Sequence, residues 1–346
     1  MRSLSGQSNF FGLDLGVSAV RVVELRGEGP QRELLRYGYA PFEGTIALSE
    51  AEADKTKVKA VISQLLKQVG ITAKNVAVNL PSSHVFSAVI DMDRMDKEEL
   101  VKTIRYQADS YIPTPLAESK IDWAMIGDSP RDPKKVEVLL SSVPNKFVEA
   151  RLALLEAVGL NVIAFEPDTM SLARSLVAGD NNNPHLLLDI GSAATDLVIS
   201  VGQVPHLARS IPIGQQAIVR AASQHLGIDE NQAHQFVFKF GLGKDKLEGQ
   251  LYHAIVPTID TLAGEIEKSV KFFQGRYPTL RLDRTIVTGG ASTLPEFPLY
   301  LANKFGMNVE IGNSWRNVAV PPDKQNEAAS ASNQFAIAAG LAEREP

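Results

Sequence analysis

Two stretches of the chain carry the same pattern. Phe11-Gly-Leu-Asp-Leu-Gly-Val-Ser-Ala-Val-Arg-Val-Val-Glu-Leu and Leu186-Leu-Leu-Asp-Ile-Gly-Ser-Ala-Ala-Thr-Asp-Leu-Val-Ile-Ser each read as an apolar strand, Asp-apolar-Gly, small residues and a second apolar strand. Such a run predicts a hairpin whose glycine turn lets backbone approach something closely. Two copies predict a duplicated lobe. The length agrees, because 346 residues exceed what one hydrophobic core usually supports.

The elements after each hairpin strengthen the duplication. Behind the first come a polar stretch near Gly44, a helix over 50–70 with Val58, Ile62, Leu65 and Leu66 on one face, and a strand over 75–80. Behind the second come a strand over 206–213, a helix over 215–226, further helices through 274, and a buried strand at 284 running into Gly289-Gly290, then a helix over 294–305. Between 85 and 165 the order becomes strand 85–92, helix 97–111, strands 120–126 and 136–143, helix 145–158 and strand 160–165. That β-α-β-β-α-β order is the split module of a small domain, here inserted into the first lobe. Residues 313–334 read as a loop rich in Asn, Ser, Pro and Ala, followed by a small-residue helix over 335–341. Strands alternating with helices make the class α/β.

Composition removes several functions. There is no cysteine, so disulfides, thiolate nucleophiles and cysteine zinc sites are absent. Thirty-five basic against 40 acidic residues give a net charge of -5, too acidic for a protein whose main work is gripping nucleic acid. The six histidines lack metal-ligand spacing. Residues 1–9 have no apolar signal core, and the richest apolar run, 186–204, is broken by Asp189 and Asp196, so no membrane-spanning helix is expected.

The two turns suit phosphate, which binds where several backbone N–H groups converge and no side chain blocks approach. Gly16-Val17-Ser18 and Gly191-Ser-Ala-Ala-Thr195 meet that description. Asp14 and Asp189 would end apolar strands facing the phosphates, which makes sense if Mg²⁺ intervenes, held by one or two carboxylates and largely through water. Arg21 is either a phosphate contact or a solvated arginine. Gly289-Gly290 offers a flat approach for a nucleoside.

Together these residues resemble the actin-like ATPase superfamily: two phosphate loops, a late Gly-Gly adenosine motif, and two connecting helices at 166–176 and 335–341. Within it the chain is similar to the PilM family of type IV pilus assembly proteins, themselves FtsA-like. The opening Gly12-Leu-Asp-Leu-Gly-Val-Ser, the segment Gln107-Ala-Asp-Ser-Tyr-Ile-Pro-Thr-Pro-Leu and the helix Glu265-Ile-Glu-Lys-Ser-Val-Lys-Phe-Phe carry that resemblance. Asn313-Ser-Trp departs from the Asn-Pro-aromatic expected there.

The resemblance implies an actin-like fold of two duplicated lobes around a nucleotide cleft, divided as first lobe 1–84, inserted subdomain 85–165, connecting helix and return 166–185, second lobe 186–334 and C-terminal helix 335–346. It implies ATP or ADP with Mg²⁺, and weak or absent hydrolysis. Asp14 and Asp189 would hold the metal through water; Gly16, Val17, Ser18, Arg21, Gly191, Ser192 and Thr195 would line the phosphates. Gly214, Glu265 and Lys268 would lie near ribose and base, with Gly289 and Gly290 under the adenosine. Glu166 stands where hydrolysing relatives orient attacking water, or is simply a residue favoured by the following helix dipole.

The implied partner is the short cytoplasmic tail of PilN, an inner-membrane protein, taken as an extended peptide between first lobe and inserted subdomain. The groove is placed near Ile112, Pro113 and Leu116, for which a proline-bounded helix stop is the alternative. Other platform and motor proteins and self-association are further expected contacts, with the membrane reached only through the partner from the cytoplasmic side. A small-molecule kinase of the same superfamily is the alternative from another class. A polymerising FtsA-like protein is the third; the stop soon after Leu341 leaves no room for its amphipathic anchor.

Overall fold

The computed structural model describes residues 9–27, 32–42 and 46–345. The polar stretch expected near Gly44 and most of the N-terminal segment therefore lie outside the described residues. In chain order the first elements are β1 (Phe10–Leu15), β2 (Ala19–Arg26), β3 (Glu33–Pro41), α1 (Glu52–Val69) and β4 (Asn75–Leu80). Next come β5 (Phe86–Asp93), α2 (Lys97–Tyr111), β6 (Ser119–Asp128), β7 (Lys135–Pro144), α3 (Asn145–Glu156), β8 (Asn161–Pro167) and α4 (Asp168–Leu176). They are followed by β9 (Pro184–Ile190), β10 (Thr195–Val201), β11 (Val204–Ile211), α5 (Gln215–Leu226), α6 (Glu230–Phe240) and α7 (Gln250–Arg276). The last are β12 (Arg284–Thr288), α8 (Phe297–Phe305), β13 (Asn308–Ile311), α9 (Gln325–Ala331) and α10 (Ala336–Ala342). Among the described residues no helix is long and apolar enough to cross a membrane.

The described residues divide into two compact units: those within 1–81, 146–176 and 313–346, and those within 82–145 and 177–312. The duplication is visible in their sheets. Unit 1 carries the order β3-β2-β1-β4-β8 and unit 2 the order β11-β10-β9-β12-β13. In both, a hairpin strand pairs antiparallel with its successor and parallel with a later strand, which in turn pairs parallel with the sheet's edge.

Strand alternation fixes the faces of the first sheet. Phe11, Leu13 and Leu15 pack with Val58, Ile62 and Leu65 of α1. Gly12, of opposite parity, meets α10: a Cβ there would lie 2.8 Å from the amide nitrogen of Ala342. Gly340 in turn lets α10 press on the backbone of Ser171 in α4. This is the close packing that the run of small residues predicts.

Three expected boundaries move. The inserted module keeps only its β-α-β-β part, a three-stranded sheet β5-β7-β6 with α2 packed on it through Leu100, Ile104 and Ala108. Its expected last helix and strand belong to unit 1, where β8 pairs parallel with β4. The module itself groups with unit 2 rather than with the first lobe. Residues 313–334 are neither a plain loop nor part of the second lobe: they hold α9 and join unit 1, where Trp315 is buried against Tyr37 and Phe335.

Candidate functional site

Asp14 is the penultimate residue of β1 and Asp189 the penultimate residue of β9, so each carboxylate lies two residues before the glycine of its turn. Their surroundings differ. Asp14 sits opposite Arg21 across the hairpin and is paired with it at 3.3 Å. Burial pushes the Asp14 carboxyl above its ordinary value, and Arg21 opposes that rise. Asp189 instead sits opposite Asp196 and is only half-buried.

The first turn is held from below by side chains of other elements. Leu15 N–H donates to Asn79 Oδ1 at 2.8 Å, and Leu15 C=O accepts from Arg151 Nη1 at 3.2 Å. Asn79 Nδ2 then donates to Asp168 Oδ1 at 3.0 Å. Gly16 closes the turn through its N–H to Ala19 C=O, leaving Val17 half-buried and Ser18 exposed. A Cβ on Gly16 would come within 3.6 Å of Arg21 Nη1 and 3.7 Å of Asp14 Oδ1, so both charged groups border the turn.

The second turn is built by its glycines. Gly191 N–H donates to Ala194 C=O, and Gln215 and Gln216, in the first turn of α5, donate to the carbonyls of Gly191 and Ser192. Gly214 makes that docking possible: a Cβ there would lie 2.6 Å from Gly191 C=O and 2.7 Å from the Ala194 nitrogen. Gly289, at φ +86°, passes Asp189 so closely that a Cβ would collide with its Oδ1. The Gly289-Gly290 turn and the second hairpin are therefore one packed arrangement, with Gly290 facing Gln215.

Several expected site residues have other duties. Thr195 is fully buried and donates its hydroxyl to Ile213 C=O at 2.7 Å; it braces the hairpin rather than lining it. Gly214 serves the same packing rather than standing open near a ribose. Glu265 lies on α7, where hydrogen bonds from Lys268 and Arg209 hold its carboxyl below the ordinary range, and Lys268 is exposed. Ile112 ends α2 and is buried in the module's core, so it has no face left for a peptide; Leu116 packs on the same core and Pro113 is exposed. The helix-stop reading accounts for Ile112.

Glu166 is the most heavily engaged. Its Oε1 accepts from Ser171 Oγ and Arg174 Nη1 at 2.7 Å each, and its Oε2 accepts from Arg174 Nη2 and Arg344 Nη1 at 2.9 Å each. The side chain is 4% exposed. Both oxygens are spent on anchoring α4 and the segment after α10, which leaves no open side for orienting a water.

Arg151, Asn79 and Asp168 are absent from the expected site although they support its first turn. A signal existed for two of them. Asn79 is a polar residue inside the apolar strand Val76-Ala-Val-Asn-Leu, and Arg151 lies four residues after Phe147 and four before Leu155, on the apolar face of α3.

A model of the family described as type IV pilus assembly protein PilM matches residues 12–345. The chain belongs to that family. The solved PilM-PilN type IV pilus biogenesis complex contains a chain similar to this one with a TM-score of 0.84 and 25% identity, over 98% of this chain and 99% of that one. The ethanolamine utilization protein EutJ from Carboxydothermus hydrogenoformans is similar at a TM-score of 0.59 and 13% identity, over 96% and 88% of the two chains. MreB 5 of Spiroplasma citri bound to AMPPNP is similar at 0.56 and 13%, over 96% and 95%. These two show the shared fold, the actin-like ATPase fold, and PilM membership fits the Asp-apolar-Gly turns that each unit carries.

Proposed function

We propose that this PilM-family chain is a nucleotide-binding assembly protein of a type IV pilus or related secretion platform, which engages the cytoplasmic tail of PilN at the inner face of the membrane. One observation carries the reading: similarity at a TM-score of 0.84 over nearly all of both chains to a chain of the PilM-PilN type IV pilus biogenesis complex. The two glycine turns support the nucleotide half. ATP or ADP would use the backbone N–H groups around Gly16 to Ser18 and around Gly191 and Ser192, with Arg21 as an added cation and Gly289 and Gly290 admitting the adenosine.

The carboxylates fit magnesium of a particular kind. Among the described residues no group of three or more His, Cys, Asp or Glu could hold a metal. Asp14 and Asp189 each offer a single carboxylate, which suits an ion that keeps most of its waters and is completed by phosphate. When bound, Mg²⁺ would screen the phosphate charge. Asp14 and Asp189 would fix its hydration shell, while the turns orient the phosphates. With Glu166 held by two arginines, slow or absent turnover is the expected consequence.

Calorimetry and amide hydrogen exchange with a synthetic N-terminal PilN peptide, with and without Mg-ATP, test the partner. Saturable binding with amide protection in residues 82–145 or the first unit is expected; no binding, or protection confined to 186–312, refutes the reading. Asp189→Ala should weaken Mg-ATP binding by about tenfold or more, and unchanged affinity would count against the nucleotide assignment.

A further inference from the structure

Arg151 is a buried arginine, 5% exposed, that reaches the first turn from α3. Its Nη1 holds the Leu15 carbonyl, and its guanidinium lies over the Phe147 ring at 5.0 Å. Its Nη2 is buried and has no partner among the described residues. A guanidinium donor left unbonded away from water is costly, so its retention calls for a use. Burial lowers its pKa to about 10, and the nearby charges of Asp168 and Asp14 oppose that fall.

Asp14 thus lies among two cations of unlike standing. Arg21 comes from the neighbouring strand, keeps 17% of its side chain exposed, borders Gly16 and holds Asp14 by one long contact of 3.3 Å. Its own Nε is also buried without a partner among the described residues. Arg151 is fixed from behind. The cluster of Arg21 and Arg151 with Asp14 and Asp168 is formally balanced. A phosphate arriving at the turn would compete with Asp14 for Arg21, and a metal held only through water is a poor replacement for a direct ion pair at a buried carboxylate, so losing Arg21 is costly unless a second cation takes its place.

We propose that Arg151 is the standing counter-charge of the first turn, whose spare Nη2 takes Asp14 when Arg21 leaves that carboxylate for an incoming nucleotide phosphate. Arg151 is then a positioning residue: it acts through Arg21 and Asp14 and need not touch the nucleotide. This rests on the proposed nucleotide binding and specifies how the first turn loads.

The test is a double-variant cycle on the full chain, measuring Mg-ADP and adenosine affinities by calorimetry in the cold. Arg21→Met and Arg151→Met should each weaken Mg-ADP about tenfold while leaving adenosine unchanged. Because Arg151 works by releasing Arg21, the double variant should bind Mg-ADP within about twofold of Arg21→Met alone. Losses that multiply, or an equal loss for adenosine, would overturn the proposal, since a merely structural role moves both ligands. If Arg151→Met does not fold, Arg151→Lys decides: a single ammonium cannot serve both the Leu15 carbonyl and Asp14, so Mg-ADP should weaken severalfold with adenosine unchanged, and full Mg-ADP affinity would overturn the idea. An unaltered chain that fails to bind Mg-ADP would remove the nucleotide reading itself, and this inference with it.

Discussion

Arg276 in the last turn of α7 donates from Nε to Glu137 on β7 at 2.8 Å, and from Nη2 to Asp91 on β5 at 2.9 Å, so the long helix of unit 2 is tied to the inserted sheet. Glu137 is 2% exposed and also accepts from the Tyr277 hydroxyl. Removing one partner of a buried pair leaves an uncompensated charge, at a cost of about 3–5 kcal/mol. Arg276→Met should therefore lower the thermal midpoint by several degrees, and Glu137→Gln, which keeps the phenol contact, by less. Thermal unfolding followed by circular dichroism checks the order; equal midpoints for all three proteins would mean the tie contributes nothing.

That tie also shows where sequence reading stops. Helix 97–111 has its expected bounds in α2 because Asp96 caps it, accepting from Glu99 N–H, and a Pro comes after Ile112. Strand 75–80 and helix 215–226 likewise appear at their expected bounds. Residues 145–165 were legible as helix and strand but not as part of unit 1, because an alternating apolar pattern names a buried face without naming the neighbouring strand. β3 and β13 escaped for a related reason: β3 is mostly half-buried and β13 has only four residues. In the site, the glycines were legible because close backbone approach leaves no substitute for them. Arg151 was not, since a lone charge on an apolar helix face gives no hint of the carbonyl it will meet.

Glu166 offers a second test. Replacing it with Ala strands Arg174 and Arg344 without their shared carboxylate and should destabilise unit 1 by about 3 kcal/mol or more. Arg344→Met removes one of four hydrogen bonds and should cost about 1 kcal/mol, while leaving Oε2 partly free. If occupation of that carboxylate limits turnover of the proposed nucleotide, Arg344→Met should release phosphate from ATP several times faster than the unaltered chain. A rate as low as the parent's would show that Glu166 is an anchor only.

The two adjacent glycines Gly289 and Gly290 should respond differently to a methyl group. Gly289→Ala combines a positive φ with a Cβ that would collide with Asp189 Oδ1 and with the backbone of Ile190, which cannot turn aside. A loss of about 2–4 kcal/mol is expected, with Asp189 displaced and Mg-nucleotide binding gone in whatever folds. Gly290→Ala meets only the end of Gln215, at 3.0 Å, which can turn aside. It should cost less than about 1 kcal/mol. Chemical denaturation of both variants tests the contrast, and equal losses would refute the packing account.

Glu343 makes stability depend on pH. Burial raises its carboxyl from an ordinary value of 4.5 to about 8, against the opposing effects of the Asn317 amide, Arg174 and Arg32. Its Oε1 is buried without a partner among the described residues, and its Oε2 has only a long contact of 3.4 Å with Asn317. The folded chain thus favours the protonated form. The cost of charging this group is absent below about pH 4.5, grows as the pH rises, and is complete above about pH 8. Glu343→Gln removes the ionisation and keeps the shape, so it should stabilise the chain by about 1 kcal/mol or more at alkaline pH. The gain should shrink steadily as the pH is lowered toward 5. Denaturation midpoints of the two proteins across that range decide it: a difference that is flat with pH, or that grows toward acid, would show that Glu343 is charged in the folded chain.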